Sequence, residues 1–305
     1  MIQAVSITLC LYMSLTLRIK IKQIRKNMNK QEIGSMTAKG GFINEADICN
    51  KFLNFQKDSE AKAWLTIMGY NPKKVQKIFA EQIPVRINLD KAISYGVSKE
   101  KYDETIKFKK ADIQVRVEIL IDNILHVENI SLKKAKESAG KNQVDKRPVS
   151  TYQKIWGFND NIAKWLKVFT GEIPPQDILA SDELVCVRDK KKRRLFLDEI
   201  PQDQLSLIIA YFQDNKILII NDVLRGRGGL TAEWMLVTKN KSNGQTDWIL
   251  KDINTVCNFY SQGDVRLSPR KSLYIGRVSM QRKGGTPDPK SLQFNINPLE
   301  LFNEQ

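Results

Sequence analysis

The strongest constraint on the fold lies in residues 112–133, where apolar and polar residues alternate through two successive runs. In the first, Ile113, Val115, Val117 and Ile119 take every second position, so Asp112, Gln114, Arg116 and Glu118 must point the other way. In the second, Ile130 and Leu132 share the apolar face and leave Asn129, Ser131 and Lys133 together. This period-two pattern predicts a pair of strands, one face of which carries Asp112, Ser131 and Lys133. A carboxylate opposite a polar residue and a lysine can hold a divalent metal and position a water for phosphodiester hydrolysis. The same alternation equally describes an ordinary hairpin whose polar face meets solvent.

Charge favours a polyanionic partner. The chain holds 49 Lys and Arg against 34 Asp and Glu, a formal charge of +15, and such an excess attracts nucleic acid through counterion release. Five of the basic residues, Arg18, Lys20, Lys22, Arg25 and Lys26, fall in residues 1–27, which contain no acid. Met1 to Leu17 is apolar, but its charge order is the reverse of a secretory signal, and Gln3, Ser6, Thr8, Ser14 and Thr16 interrupt it as a membrane span. Residues 1–27 are expected to be a spurious extension or disordered, with the working chain starting at Met28. A membrane-tethered basic protein is the reading that would take Met1 to Leu17 at face value.

The cysteines Cys10, Cys49, Cys186 and Cys257 form no close pair, which fits a reducing cytoplasm. His126 is the single histidine, so multi-histidine zinc sites and histidine-pair hydrolases are excluded. It lies near the start of the second strand and is expected to be structural. Enzymatic chemistry in this chain would rest on carboxylates and lysines.

Elsewhere the pattern is mixed. Asn44 is a candidate cap, with Glu45 and Asp47 in a first helical turn and Ile48, Phe52 and Phe55 following at helical spacing. A second helix through Ala61, Trp64, Leu65 and Met68 ends at Gly69. Residues 72–108 are expected to be helical, residues 141–149 a polar loop, and residues 151–169 an apolar helical stripe used in core packing. The basic run from Asp189 to Arg194 either tracks phosphates or is a solvated turn. After a helix from Gln202 to Gln213, strands are expected at 217–220, 233–237, 248–250, 272–280 and 292–296. Two glycine-rich basic loops, residues 225–229 and 281–285, combine close backbone approach with donors suited to phosphates and base edges.

With these motifs in view, the chain resembles the HinP-type type II restriction endonucleases, PD-(D/E)XK enzymes that cut the palindrome GCGC. The likeness includes Gly34 to Glu45, Asn142 to Lys146 and Tyr152 to Trp156. It is strongest from Leu224 to Gly228, Ala232 to Trp234, Leu267 to Arg270, Gly276 to Val278, Gln281 to Gly285 and Leu299 to Phe302. The resemblance implies an α/β fold with a central mixed β-sheet flanked by helices, as one restriction-endonuclease domain over residues 28–305. Within it the catalytic core would occupy about residues 42–170 and a β-rich DNA-recognition part about 190–305.

The resemblance also implies site roles. Asp112 would bind Mg2+, Lys133 would be the catalytic lysine, and the Leu132 carbonyl would be a further ligand. Ser131 stands where the family motif has an acid or its amide, and a hydroxyl is a weaker magnesium ligand. Ala111 replaces the motif proline. Glu45 resembles in placement a supporting helical glutamate, though a first-turn charge also explains it. Gln143 matches a base-reading glutamine, and Lys141 falls where an aromatic wedge would stand. Lys146, Arg225, Arg227, Arg270, Arg277, Gln281, Arg282 and Lys283 complete the implied DNA contacts. The implied partners are double-stranded DNA and a cognate methyltransferase, with the enzyme a cytoplasmic monomer or homodimer and no membrane association. Ser131 also motivates a second reading, a sequence-specific DNA-binding protein with an impaired nuclease site.

Overall fold

The computed structural model describes residues 44–84, 86–103, 105, 114–135, 140–240, 246–282 and 290–304. The first helices are α1 (residues 44–53) and α2 (Ser59–Ile67). Asp58 caps α2 by accepting from Ala61 N at 2.8 Å, and the helix buries Ala61, Trp64 and Leu65. The chain then departs from its expected helical course. Lys77–Gln82 is a strand, β1, paired antiparallel with the first strand of the alternating region. Val75, Ile78 and Phe79 fit a helical spacing, yet Ile78 is buried and Phe79 exposed, the alternation that pairing to a neighbouring strand imposes. A short helix, α3 (Leu89–Ser94), follows, its Lys91 N held by the Asn88 side chain.

The alternating region is a hairpin of β2 (Gln114–Ile121) and β3 (Ile124–Ala135). Asp122 and Asn123 both have positive φ, 50° and 63°, which suits a two-residue turn matched to strand twist. The chain next forms β4 (Asn142–Pro148), α4 (Val149–Trp156), α5 (Asp160–Thr170), α6 (Ser181–Val185), α7 (Gln202–Asp214) and α8 (Lys216–Leu224). Strands β5 (Trp234–Asn240) and β6 (Thr246–Asp252) precede α9 (Ile253–Ser261). Four further strands, β7 (Arg266–Leu267), β8 (Leu273–Ile275), β9 (Val278–Arg282) and β10 (Ser291–Ile296), lie towards the C-terminus.

Two five-stranded sheets result. One has the order β1-β2-β3-β5-β6 and the other β4-β10-β9-β8-β7. In the first, β3 and β5 are parallel and the other pairs antiparallel, so the sheet is mixed. Each sheet takes strands from both halves of the chain, which makes the two parts interleaved rather than consecutive. Residues 41–305 form one compact unit.

Three expectations fail for identifiable reasons. Residues 142–148 are strand β4 because β10, far along the chain, supplies its partner and buries Val144 and Asp145. Residues 217–220 lie in helix α8, whose buried Ile219, Ile220, Val223 and Leu224 follow a helical stripe; a short apolar run does not distinguish helix from strand. Residues 272–280 break into β8 and β9 at Gly276, which has φ +57° and where a Cβ would lie 2.5 Å from the Tyr260 carbonyl oxygen. Glycine is required there. The stripe over residues 151–169 is α4 and α5, split by Gly157, and its aromatic residues Tyr152, Trp156, Trp165 and Phe169 are core.

One core joins α1 and α2 to the Ile130 and Leu132 face of the first sheet. A larger one packs α4, α5, α7, α8 and α9 between the opposite face and the second sheet. A satellite of Ile83, Ile87, Ala92, Tyr95, Val97 and Leu230 seats the α3 segment against the 225–230 loop. Among the described residues no helix is long and apolar enough to cross a membrane; Met1 to Leu17 lies outside them.

Candidate active site

On β3, Ile130 and Leu132 enter the α1/α2 core while Ser131 and Lys133 project from the other face. That second face is not solvent-exposed. Ser131 is 0% exposed, Lys133 4%, Asn129 5% and Arg116, opposite Asn129 on β2, 7%. Burial on this scale removes the reading of an ordinary exposed hairpin face, because polar groups are taken from water only when something compensates them. Arg116 Nε donates to Glu118 Oε1 at 3.1 Å, and its guanidinium lies 5.1 Å from the Tyr95 ring centroid. Ser131 Oγ and Asn129 Oδ1 are buried without a hydrogen-bond partner among the described residues. Two such atoms on one face of one strand mark a place where a ligand or water is wanted.

The last described rung before the expected carboxylate is Gln114 opposite Ser131; Asp112 lies outside the described residues. Lys133 is the register partner of Val237 on the parallel strand β5. Glu45 is 3% exposed, in the first turn of α1, whose Asn44 Oδ1 accepts from Thr238 Oγ1 at 3.1 Å. Helix α1 thus docks its N-terminus at the end of β5 beside the Lys133 rung, from the layer on the Ile130 side. Leu132, the expected carbonyl ligand, is the register partner of Leu236 and buries its side chain.

One neighbour was not foreseen. Glu233 lies just before β5, donates its own N–H to the Asn129 carbonyl at 2.9 Å and accepts from Asn129 N through Oε2 at 2.8 Å. Burial pushes its carboxyl above the ordinary range, with a further upward push from Glu128. Nothing in the local sequence pairs residues 129 and 233, since only the parallel registration of β3 and β5 brings them together. Glu128 meanwhile accepts from Tyr70 OH and Trp234 Nε1, and His126 packs edge-on to Tyr70 at 5.4 Å. His126 is part of this packing.

The expected DNA contacts fall into distinct settings. Gln143, Lys146 and Gln281 lie on the second sheet's outer face, away from core residues Val144, Met280 and Phe294. Arg282 turns to the helical side, where its Nε donates to the Thr170 carbonyl at 2.7 Å. Lys141 Nζ donates to Tyr274 OH at 2.6 Å and Ser279 Oγ at 3.0 Å. Arg227 is held by Asp222 at 2.7 Å, and Asp222 also accepts from Trp156 Nε1. Arg277 donates to Gln262 and stacks 4.0 Å over Phe259. Arg225 and Arg270 are exposed, and Lys283 lies outside the described residues. In the 189–194 run, Asp189 accepts from Arg193 N, and Lys192 Nζ reaches the Val185 and Val187 carbonyls. These contacts make the run a tied turn.

With this geometry in place, comparison with known proteins is decisive. The R.HinP1I restriction endonuclease family matches residues 99–302. The chain belongs to this family. Its members are type II site-specific DNA endonucleases, and the match takes in β2, β3 and nearly all that follows, while α1, α2, β1 and α3 precede it. The crystal structure of the restriction endonuclease MspI in complex with its cognate DNA is similar at a TM-score of 0.51 and 12% identity. That likeness covers 88% of this chain and 94% of MspI, and shows that the family's mixed sheet and flanking helices are a restriction-endonuclease fold. No curated protein matches the chain.

Proposed function

We propose that this endonuclease is a magnesium-dependent PD-(D/E)XK enzyme that cuts duplex DNA at a short GC-rich palindrome, with GCGC the leading candidate. The observation that carries the reading is the burial of Lys133 and Ser131 side by side on the polar face of β3, in a chain of the R.HinP1I family. The reading requires β2 to keep its register two residues beyond Gln114, which brings Asp112 opposite Lys133. The donor set then suits a hard cation: a carboxylate from Asp112, the Leu132 carbonyl and the Ser131 hydroxyl, which has no partner among the described residues. Bound there, magnesium supplies neutralisation of charge on the phosphate and the leaving oxygen.

The chain's own groups do the rest. Lys133, held by a rigid strand between β2 and β5, orients the attacking water and helps remove its proton. Attack in line on phosphorus leaves a 5′-phosphate and a 3′-hydroxyl. Glu45, entering from α1, supports the site from the far side of the strand ends. Gln143 and its neighbours on the second sheet read bases, while exposed basic residues such as Lys146, Arg225 and Arg270 meet phosphates. A cognate methyltransferase would protect host DNA in the same cytoplasm.

The test is digestion of unmethylated plasmid by the purified chain, with and without magnesium, followed by sequencing of the cut ends. Discrete ends sharing one short palindrome and bearing 5′-phosphates are expected. DNA bound at one sequence but left uncut in magnesium would favour the second reading, in which the hydroxyl of Ser131 leaves the metal site impaired.

A further inference from the structure

We propose that Gln293 and Asn295 of β10 are specificity-determining residues that meet base edges of duplex DNA from the outer face of the second sheet. The proposal rests on the nuclease reading above and adds residues to it. Leu292, Phe294 and Ile296 of β10 are buried in the core, so alternation sends Gln293 and Asn295 to the opposite face. Gln293 Nε2 donates to Asn295 Oδ1 at 2.7 Å, which confirms that the two amides share that face.

Register extends the array. Gln293 lies between Lys146 of β4 and Gln281 of β9, and Asn295 between Gln143 and Ser279. Ser279 is in turn the partner of Tyr274, and Tyr274 of Arg266. One polar row therefore runs Gln143, Asn295, Ser279, Tyr274, Arg266 across all five strands, with a second row of Lys146, Gln293 and Gln281 beside it. Four carboxamides on one sheet face, bounded by lysine and arginine, match what base edges flanked by phosphates demand. Residues two apart on a strand repeat about every 6.8 Å, close to two base steps of about 3.4 Å each.

Asn295 has a defined polarity. It is 4% exposed, its oxygen is engaged by Gln293, and its Nδ2 has no partner among the described residues. It offers a donor, so the base edge it takes must accept, and guanine presents two acceptors in the major groove. In the same row the Lys141 ammonium rests on Ser279 Oγ and Tyr274 OH, 4.6 Å from the Tyr274 ring centroid, with Arg266 5.4 Å from that ring. The proposal requires the Lys141 ammonium to exchange this seat for a phosphate when DNA meets the row.

The test is binding selection of the full chain on a random duplex pool in EDTA, repeated with Gln293→Ala, Asn295→Ala and the donor-less near-isostere Asn295→Leu. Each variant is expected to lose about ten- to hundredfold of the preference at its own base position and to keep its preference elsewhere and its non-specific affinity. Variants that keep the full wild-type preference, or lose it evenly at every position, overturn the proposal. Cutting is read separately on the selected duplex. A chain that selects a sequence without cutting it fails the nuclease reading while the variants still decide this one, and a chain that selects no sequence overturns this proposal, with the nuclease reading left to magnesium digestion of plasmid.

Discussion

Ser131 and Lys133 lie two residues apart on one face of β3 and are both withdrawn from solvent, at 0% and 4% exposure. Under the proposed function, this strand face buries a lysine beside a hydroxyl with no partner among the described residues so that both serve the cleavage step. If Ser131 contributes to the metal, Ser131→Ala raises the magnesium concentration needed for half-maximal cleavage by about tenfold and leaves metal-free DNA binding unchanged. A magnesium titration identical to wild type removes Ser131 from the site.

Glu233 is expected to cost stability at neutral pH. Its folded carboxyl titrates above the ordinary value of 4.5 because it is buried, so between that value and the raised one the folded state holds more proton than the unfolded. Stability from this group is present below pH 4.5 and lost as pH rises through the folded pKa. Glu233→Gln keeps an acceptor for Asn129 N and is expected to melt higher than wild type at pH 7, with the gap closing towards pH 4.5. Thermal denaturation at the two pH values checks this, and a gap that does not change with pH contradicts it.

The 225–230 loop and the segment leading to β2 meet at Gly228. A Cβ there would stand 2.8 Å from Thr105 Oγ1 and 2.9 Å from its Cα, at a φ of +79°, and Gly229 N also donates to Thr105 Oγ1 at 3.3 Å. Gly228→Ala is expected to destabilise the protein by about 1–3 kcal/mol, measured by urea denaturation. An unchanged midpoint would mean that the two segments part without cost.

Asp252 caps α9, accepting from Asn254 N at 3.1 Å and Thr255 N at 2.9 Å and from the Thr255 hydroxyl. Burial pushes its carboxyl up, but these hydrogen bonds together outweigh it and hold the carboxyl below its ordinary 3.8. The stabilisation is therefore present above pH 3.8 and fades as pH falls through the depressed folded value. Asp252→Ala is expected to lose about 1 kcal/mol at pH 7 and progressively less in acid. Parallel urea curves at pH 7 and pH 3 decide the matter.

Much of this fold is legible where its signal is local. The β2/β3 hairpin shows in the alternation of Val117, Ile119, Ile130 and Leu132, and α2, α4, α5 and α7 show in their apolar stripes. What is not legible depends on distant partners. The polar run at 142–148 becomes a strand only because β10 pairs with it, and Lys77–Gln82 only because β2 does. The same limit applies at the site. Spacing puts Ser131 and Lys133 on one face, but that this face is buried follows from tertiary packing, with Tyr95 at the end of α3 set against Arg116, and that Glu233 grips Asn129 follows from the registration of β5 beside β3. Of the two glycine-rich basic loops, the first is tied down by Asp222 and Thr105 in ways composition does not reveal.

Lys133 is proposed to serve the cleavage step rather than DNA recognition, and comparing wild type with Lys133→Ala on one cognate duplex separates the two. Cleavage in magnesium and binding in EDTA are measured on the same preparation. A loss of about a hundredfold or more in cleavage, with sequence-specific binding retained, is expected. Cleavage by Lys133→Ala at the wild-type rate would contradict it.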